Sequence, residues 1–148
     1  MKGRLGKRQP HTVPLPRQAV SVLGALAPLT DRGPASYIFP GAGKAGCLSE
    51  NTLSKALRTL GFDVTAHGLR SLITDALYEA QFHDRAIERQ LSHADRSEVR
   101  AAYLRSDFFE YRAGMMQWWA NVCDALRDGK PTPKPKAGNV VQLMRSAA

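Results

Sequence analysis

Four residues of types that can cut a phosphodiester follow one another in the middle of the chain. His67 and Arg70 stand three positions apart, His93 closes the run Leu91-Ser92-His93, and Tyr103 comes ten positions later. A tyrosine hydroxyl, with an ordinary pKa near ~10, is a poor nucleophile at neutral pH and needs a base and electrostatic help. A guanidinium stabilises the charge that grows on an attacked phosphate, and an imidazole can donate a hydrogen bond or accept a proton. A tyrosine that attacks a phosphodiester needs neighbours of these types.

Each of these residues taken singly also has a structural explanation, because a lone histidine or tyrosine usually packs. For that reason His11, His83, Tyr78 and Tyr111 are given no chemical role. The competing chemical interpretation is a zinc site built from Cys47, His67, His83 and His93. No pair of these has the spacing common among zinc ligands, so we expect no metal ligand.

The candidate residues fall on stretches with helical periodicity. We expect helices over residues 17–26, from Ser49 to a stop at Gly61, over 69–80, after a cap at Asp84, after a cap at Ser97 and over 107–127. A short extended segment at Thr12-Val13-Pro14-Leu15 precedes the first helix. The loop Gly41-Ala42-Gly43-Lys44 lacks the spacing of a phosphate-binding loop and is interpreted as a plain loop.

Charge is distributed unevenly along the 148 residues. The chain has 21 Lys and Arg against 13 Asp and Glu, a formal net charge of +8. Residues 1–17 contain five basic residues and no acidic one, and residues 127–148 contain five basic residues against Asp128 alone. A folded middle with basic ends suits contact with a polyanion, and double-stranded DNA is the expected partner.

Composition excludes several classes of protein. No apolar run approaches the roughly 18 residues that a membrane span needs, and the basic start lacks the apolar region of a signal peptide. Cys47 and Cys123 are far apart without ligand spacing, which indicates reduced cysteines in a cytoplasmic protein. The length suits one domain, which we place at residues 1–128, followed by a flexible basic, proline-rich tail at 129–148.

The ordered set resembles the motif of tyrosine recombinases of the phage-integrase family, which carry H-x-x-R, then L-x-H, then the nucleophilic tyrosine. The chain is also similar to integrases of satellite phages and genomic islands at His11-Thr12-Val13-Pro14-Leu15, Arg17-Gln18-Ala19, Tyr37-Ile38-Phe39-Pro40, Ser49-Glu50-Asn51-Thr52-Leu53 and Met115-Met116-Gln117-Trp118-Trp119. The resemblance implies a partial recombinase catalytic domain, with a mainly α fold and a small β element at its N-terminal end.

The resemblance also implies a role for each residue. Tyr103 is expected to form a 3′-phosphotyrosyl link with DNA, Arg70 to stabilise the phosphate charge and His67 to act as general base. His93 would donate a hydrogen bond to the phosphate. The general acid of the family is a lysine in a β-hairpin before the V-P-L segment, which Lys2 or, as the alternative, Lys7 would supply. No cofactor, metal or small-molecule substrate is implied, because the covalent link conserves the bond energy for rejoining.

Partners and activity follow from the same resemblance. Besides DNA, we expect other integrase protomers in a synaptic assembly and no membrane. The first arginine of the family and its DNA-clamping domain have no counterpart in the 148 residues, so the isolated chain is expected not to cleave DNA. The alternative is an inactive integrase remnant that only binds DNA or pairs with full-length integrase. An unrelated basic DNA-binding protein would leave the order of His67, Arg70, His93 and Tyr103 unexplained.

Overall fold

The computed structural model describes residues 11–92 and 108–135, and within these ranges the regular structure is helical. The helices are α1 (Arg17–Thr30), α2 (Thr52–Thr59), α3 (Ala66–Glu79), α4 (Asp84–Gln90) and α5 (Phe109–Arg127). The mainly α fold predicted from the sequence is confirmed.

The core lies where α3, α4 and α5 meet. Its buried cluster consists of Leu77, Phe82, Ile87, Leu91 and Met115. Partly buried side chains pack around it, among them Ile73, Tyr111 and Trp118. Phe82 lies in the centre of the aromatic contacts, 5.1 Å from the Trp118 ring and 6.1 Å from the Tyr111 ring. The helix pair α3 and α4 is thereby fixed against one face of α5.

The turn between α3 and α4 is fixed by the backbone as well as by packing. Gln81 adopts a left-handed conformation, with φ of 58°. The amide of Gln81 donates to the carbonyl of Tyr78, and the amide of Phe82 donates to the carbonyl of Leu77. This is the Schellman arrangement, in which the residue after the turn packs back on the last turn of the helix. Phe82 and Leu77 do so inside the core.

Helices α1 and α2 contain no buried residue. The N-terminal end of α1 is joined to α5 mainly through polar side chains. Gln18 Nε2 donates to Asn121 Oδ1 at 3.1 Å and to Asp124 Oδ2 at 2.7 Å, while Gln117 Nε2 donates to Gln18 Oε1 at 2.9 Å. This amide network, and not a shared apolar core, positions α1.

The observed helix ends differ from the predicted ones at α1, α2 and α3, where α3 begins at Ala66 and not at Leu69. Helix α1 continues through Pro28 to Thr30, although Pro28 has no amide proton to donate to the carbonyl four positions earlier. The last turn is closed by the amide of Asp31, which donates to the carbonyl of Ala27, and by the Thr30 hydroxyl, which donates to the carbonyl of Leu26. Helix α2 begins at Thr52 and not at Ser49, whose hydroxyl lies 2.8 Å from that of Thr52. Gly61 ends α2 as predicted, with φ of 87°.

The N-terminal β element is not seen in the described residues. Residues 11–16 run into α1 without regular secondary structure, and the positions before His11 lie outside the described ranges. Pro14 and Pro16 limit ladder formation in this segment, because proline cannot donate to a strand partner. The bridge found in the described part of the chain joins Pro40 to Cys47, around the loop predicted to be plain.

The first residues of the predicted tail return towards α5. Gly129 has φ of 64° and ends the helix, and Trp118 Nε1 donates to the carbonyl of Pro133 at 2.9 Å. Flexibility of the segment 129–148 stays a prediction, since residues after Pro135 lie outside the described ranges. Among the helices that the structure describes, none is long and apolar enough to cross a membrane.

Candidate functional site

His67 and Arg70 lie in the first turns of α3. The helix is capped by Thr65, whose hydroxyl accepts a hydrogen bond from the amide of Gly68 at 3.0 Å. Residues three apart are neighbours on one helix face, so this cap fixes both side chains in the same direction. Both residues are exposed. The H-x-x-R pair is therefore presented on the surface at the start of a capped helix.

Arg70 reaches from α3 to the end of α4. Its Nη2 donates to the carbonyl oxygen of Leu91, 21 positions along the chain. Leu91 is the C-terminal cap of α4 and its side chain is buried in the core. This bond joins the H-x-x-R motif directly to the first residue of the L-x-H motif.

Ser92 gives the chain an unusual direction just before His93. It has φ of 55°, in the left-handed region, and its amide donates to the carbonyl of Arg89 at 3.1 Å. A residue other than glycine, asparagine or aspartate is uncommon there and is held by its surroundings. The buried Leu91 and the bond from Arg70 to the Leu91 carbonyl supply that hold.

Three of the residues predicted to act lie outside the described ranges. These are His93, Tyr103 and Lys2, as is the alternative Lys7. Both residues that flank the 93–107 segment are described. On one side is Ser92, and on the other is Phe108, which has φ of 49° and leads into α5. The structure thus brings the start of α3, with His67 and Arg70, to the first residue of the L-x-H motif. The position of Tyr103 stays a prediction.

Two other tyrosines have hydroxyl groups already engaged. Tyr78 donates to a carboxylate oxygen of Glu88 at 2.9 Å, and Tyr111 accepts a hydrogen bond from the amide of His83. Burial, together with the bond to Glu88, raises the pKa of Tyr78 to about 12. A raised pKa makes the phenolate rarer at neutral pH, which is the opposite of what a nucleophile needs. Tyr78 and Tyr111 join helices.

Arg112 is a buried charged residue that the sequence analysis missed. It is 0% exposed and donates from Nε to Gln90 Oε1 at 2.9 Å and from Nη2 to the carbonyl of Thr12 at 2.7 Å. A signal for it exists in the sequence, because position 112 falls on the same helical stripe as Phe108 and Met115. A charge on an apolar stripe predicts a buried polar contact.

The zinc interpretation gains nothing from the geometry. Within residues 11–92 and 108–135, no three side chains among His, Cys, Asp and Glu lie close enough together to hold a metal ion. His83 is engaged as the N-cap of α4, where its Nδ1 accepts from the amide of Arg85 at 3.2 Å.

Sequence comparisons identify the relatives of the chain. The model described as Phage integrase family matches residues 3–110, a range that contains His67, Arg70, His93 and Tyr103. The integrase of Enterobacteria phage P4 is 43% identical over 128 residues, covering 82% of this chain and 29% of that protein. Prophage integrase IntA of Escherichia coli strain K12 is 40% identical over 129 residues, covering 85% of this chain and 31% of that protein.

A more distant relative covers the same part of the chain. The integrase of Shigella phage Sf6 is 31% identical over 127 residues, covering 84% of this chain and 32% of that protein. The chain therefore spans about a third of the length of the curated relatives it matches. No solved structure matches it significantly. The family match over most of the chain shows that it belongs to the phage integrase family.

Proposed function

We propose that the chain carries the strand-cleaving surface of a site-specific recombinase, with Tyr103 as the nucleophile. The observation that carries this proposal is the bond from Arg70 to the carbonyl of Leu91, which ties H-x-x-R to L-x-H. Arg70 stays exposed, so the guanidinium edge not used by this bond is available to a phosphate. His93 is two positions beyond Leu91 in the sequence and lies outside the described ranges.

Cleavage would proceed by exchange of one phosphate ester for another. The oxygen of Tyr103 attacks the scissile phosphorus, its proton passes to His67, and the bond from phosphorus to the 5′ oxygen breaks. Lys2, or Lys7 in its place, gives a proton to that leaving oxygen. Arg70 and His93 stabilise the charge on the non-bridging oxygens. The product is a 3′-phosphotyrosyl link and a free 5′-hydroxyl, and attack by a 5′-hydroxyl reverses the step and rejoins the strand.

Double-stranded DNA is the proposed partner, bound together with further integrase protomers that bring two DNA sites side by side. The excess of basic residues in 1–17 and 127–148 supports a contribution from phosphate contacts. Exposed cations of the described part add to it, among them Lys44, Lys55 and Arg58. Because phosphate contacts release counterions, affinity should fall steeply as salt rises.

The test is capture of the covalent link on a nicked suicide substrate. The 148-residue chain and the product of the complete reading frame that contains it are each incubated with labelled DNA. A protein–DNA band that survives denaturation is then sought and its linked peptide identified. We expect a link at Tyr103 from the complete product, which is lost in Tyr103→Phe. Arg70→Ala should reduce the rate by about 10²–10³, the usual effect of removing one oxyanion donor.

Tyr78→Phe is the matched control, since it removes a hydroxyl that is bonded to Glu88. We expect the covalent link to form in this variant at an unchanged rate. A link that persists in Tyr103→Phe would refute the assignment of the nucleophile. DNA binding without any link from either polypeptide would favour the inactive remnant over the recombinase.

A further inference from the structure

We propose that Arg112 is a positioning residue for strand cleavage, holding together the chain segments next to His93, Tyr103 and the hairpin lysine. The inference rests on the proposed function and extends it to a side chain that does not touch DNA. Arginine is among the residues least often fully buried, yet Arg112 is 0% exposed in the centre of the described helices. Its burial calls for a reason other than surface charge.

Two bonds of Arg112 to described residues end close in sequence to the segments that carry the proposed chemistry. Its Nε donates to Oε1 of Gln90, the last residue of α4 and the third position before His93. Its Nη2 donates to the carbonyl of Thr12, in the segment that follows the candidate hairpin lysines. Arg112 itself stands nine positions after Tyr103. One rigid guanidinium therefore connects three segments that are distant along the chain.

The planar guanidinium suits this task better than any other side chain. Its donors have fixed relative directions, so the positions of Gln90 and Thr12 are set relative to α5 and to each other. Arg70, on α3, donates to the carbonyl of Leu91, the residue after Gln90. Two arginines therefore donate hydrogen bonds to the end of α4. Arg70 faces DNA in the proposed site, and Arg112 is buried.

Stability alone would not require an arginine here. Removing a charged group from water is costly, and replacing buried charges with apolar side chains of similar size is often neutral or stabilising. Met115, one turn further along the same stripe, packs in the core without such a cost. The gain from Arg112 is the defined geometry of its hydrogen bonds, which matters because a displacement of about 1 Å at a reacting group can reduce a rate by about 10²-fold.

The experiment separates chemistry, binding and folding in four variants of the complete reading-frame product, which is the parent protein here: Arg112→Met, Arg112→Lys, Gln90→Met and Gln90→Glu. The rate of covalent linkage is measured on the suicide substrate at saturating protein, and the Kd for DNA by fluorescence anisotropy. Arg112→Met should reduce the rate by about 10²-fold, with Kd within about threefold of the parent. Arg112→Lys and Gln90→Met should lie in between. Gln90→Glu keeps an acceptor for the Arg112 guanidinium, so its linkage rate should stay close to that of the parent.

Leu126→Met is the control on the same helix. Its side chain is 64% exposed and is given no part in DNA contact, so the linkage rate should not change. A second measurement, hydrogen exchange, does not depend on catalysis. The amides of Leu91 and Ser92 should exchange at least about tenfold faster in Arg112→Met and Gln90→Met, while the amide of Ala80 at the end of α3 keeps its rate.

The outcomes distinguish this proposal from the proposed function. Unchanged exchange at Leu91 and Ser92 would overturn the positioning role, even with an active parent protein. A lower rate accompanied by a proportionally higher Kd and a lower melting temperature would also overturn it, because these changes together would indicate loss of folding alone. The parent protein could form no link while the Arg112→Met variant still shows faster exchange at these amides. This result would refute the proposed function and support the structural role of Arg112.

Discussion

The helices α3, α4 and α5 contain side chains that are almost completely buried, whereas α1 and α2 contain none. Both regions have apolar residues at helical spacing. In the first region this spacing produces a core around Ile87 and Met115. In the second it leaves Leu29 77% exposed and Leu60 71% exposed. Apolar periodicity therefore identifies which face of a helix is apolar, and it does not identify what covers that face.

The difference also separates two ways of holding a helix. Among the described residues of the motif, Leu91 is buried in the core of the packed region, and Arg70 is joined to it through the Leu91 carbonyl. Helix α1 is held by the amide network of Gln18, whose bonds compete with water. Precise placement of reacting groups is expected from the first region, and easier local opening from the second.

The largest effect should come from shortening a core side chain. Met115→Ala removes a fully buried side chain and should lower the free energy of unfolding by about 2–5 kcal/mol, as such substitutions do in packed cores. Leu29→Ala on α1 is the control and should change it by less than about 0.5 kcal/mol. Urea denaturation measures both. Equal losses would mean that the two regions are packed alike and would remove the comparison.

A smaller effect should come from breaking the amide network. Gln18→Ala removes three hydrogen bonds to α5 and should cost about 1–2 kcal/mol, with the loss concentrated in α1. Hydrogen exchange at the amide of Val20, in the first turn of α1, should accelerate while the amide of Phe82 is unaffected. Val22→Ala, an exposed position on the same helix, serves as control. Acceleration at both amides would show that α1 and the core open as one unit.

Much of the packed region could be predicted from the sequence. The periodicity of α3 and α5 is a local signal, as is the stop of α2 at Gly61 outside the packed region, and the structure agrees with these signals within a few residues. The partners of Gln18 and Arg112 could not be predicted, because the bonds to Asn121 and Thr12 each join positions about 100 apart in the chain. The motif spacing indicated Arg70 but not its bond to Leu91, which exists only once α3 and α4 pack. The assignments of His93, Tyr103 and Lys2 stay predictions.

The smallest effect concerns Tyr78, which links α3 to α4 inside the packed region through its bond to Glu88. Burial first and Glu88 second raise the pKa of Tyr78 from 10.0 to about 12. A group whose pKa is raised on folding stabilises the fold fully below its unfolded pKa and loses that contribution as pH rises through the folded value. The contribution of Tyr78 should therefore be constant up to about pH 9 and decline between about pH 10 and 12. Because the side chain is partly exposed, the contribution is small.

Urea midpoints of the parent chain and Tyr78→Phe, measured at intervals of pH, check this expectation. The difference between them should be steady near neutral pH and shrink from about pH 10 upward. Glu88→Gln keeps an acceptor for the hydroxyl but removes the adjacent negative charge. When Tyr78→Phe is made in the Glu88→Gln protein, the difference in urea midpoint should therefore finish declining at a lower pH than it does in the parent. A difference that stays constant through pH 11 would show that the Tyr78–Glu88 bond does not persist in solution, and that packing alone joins α3 to α4 at this point.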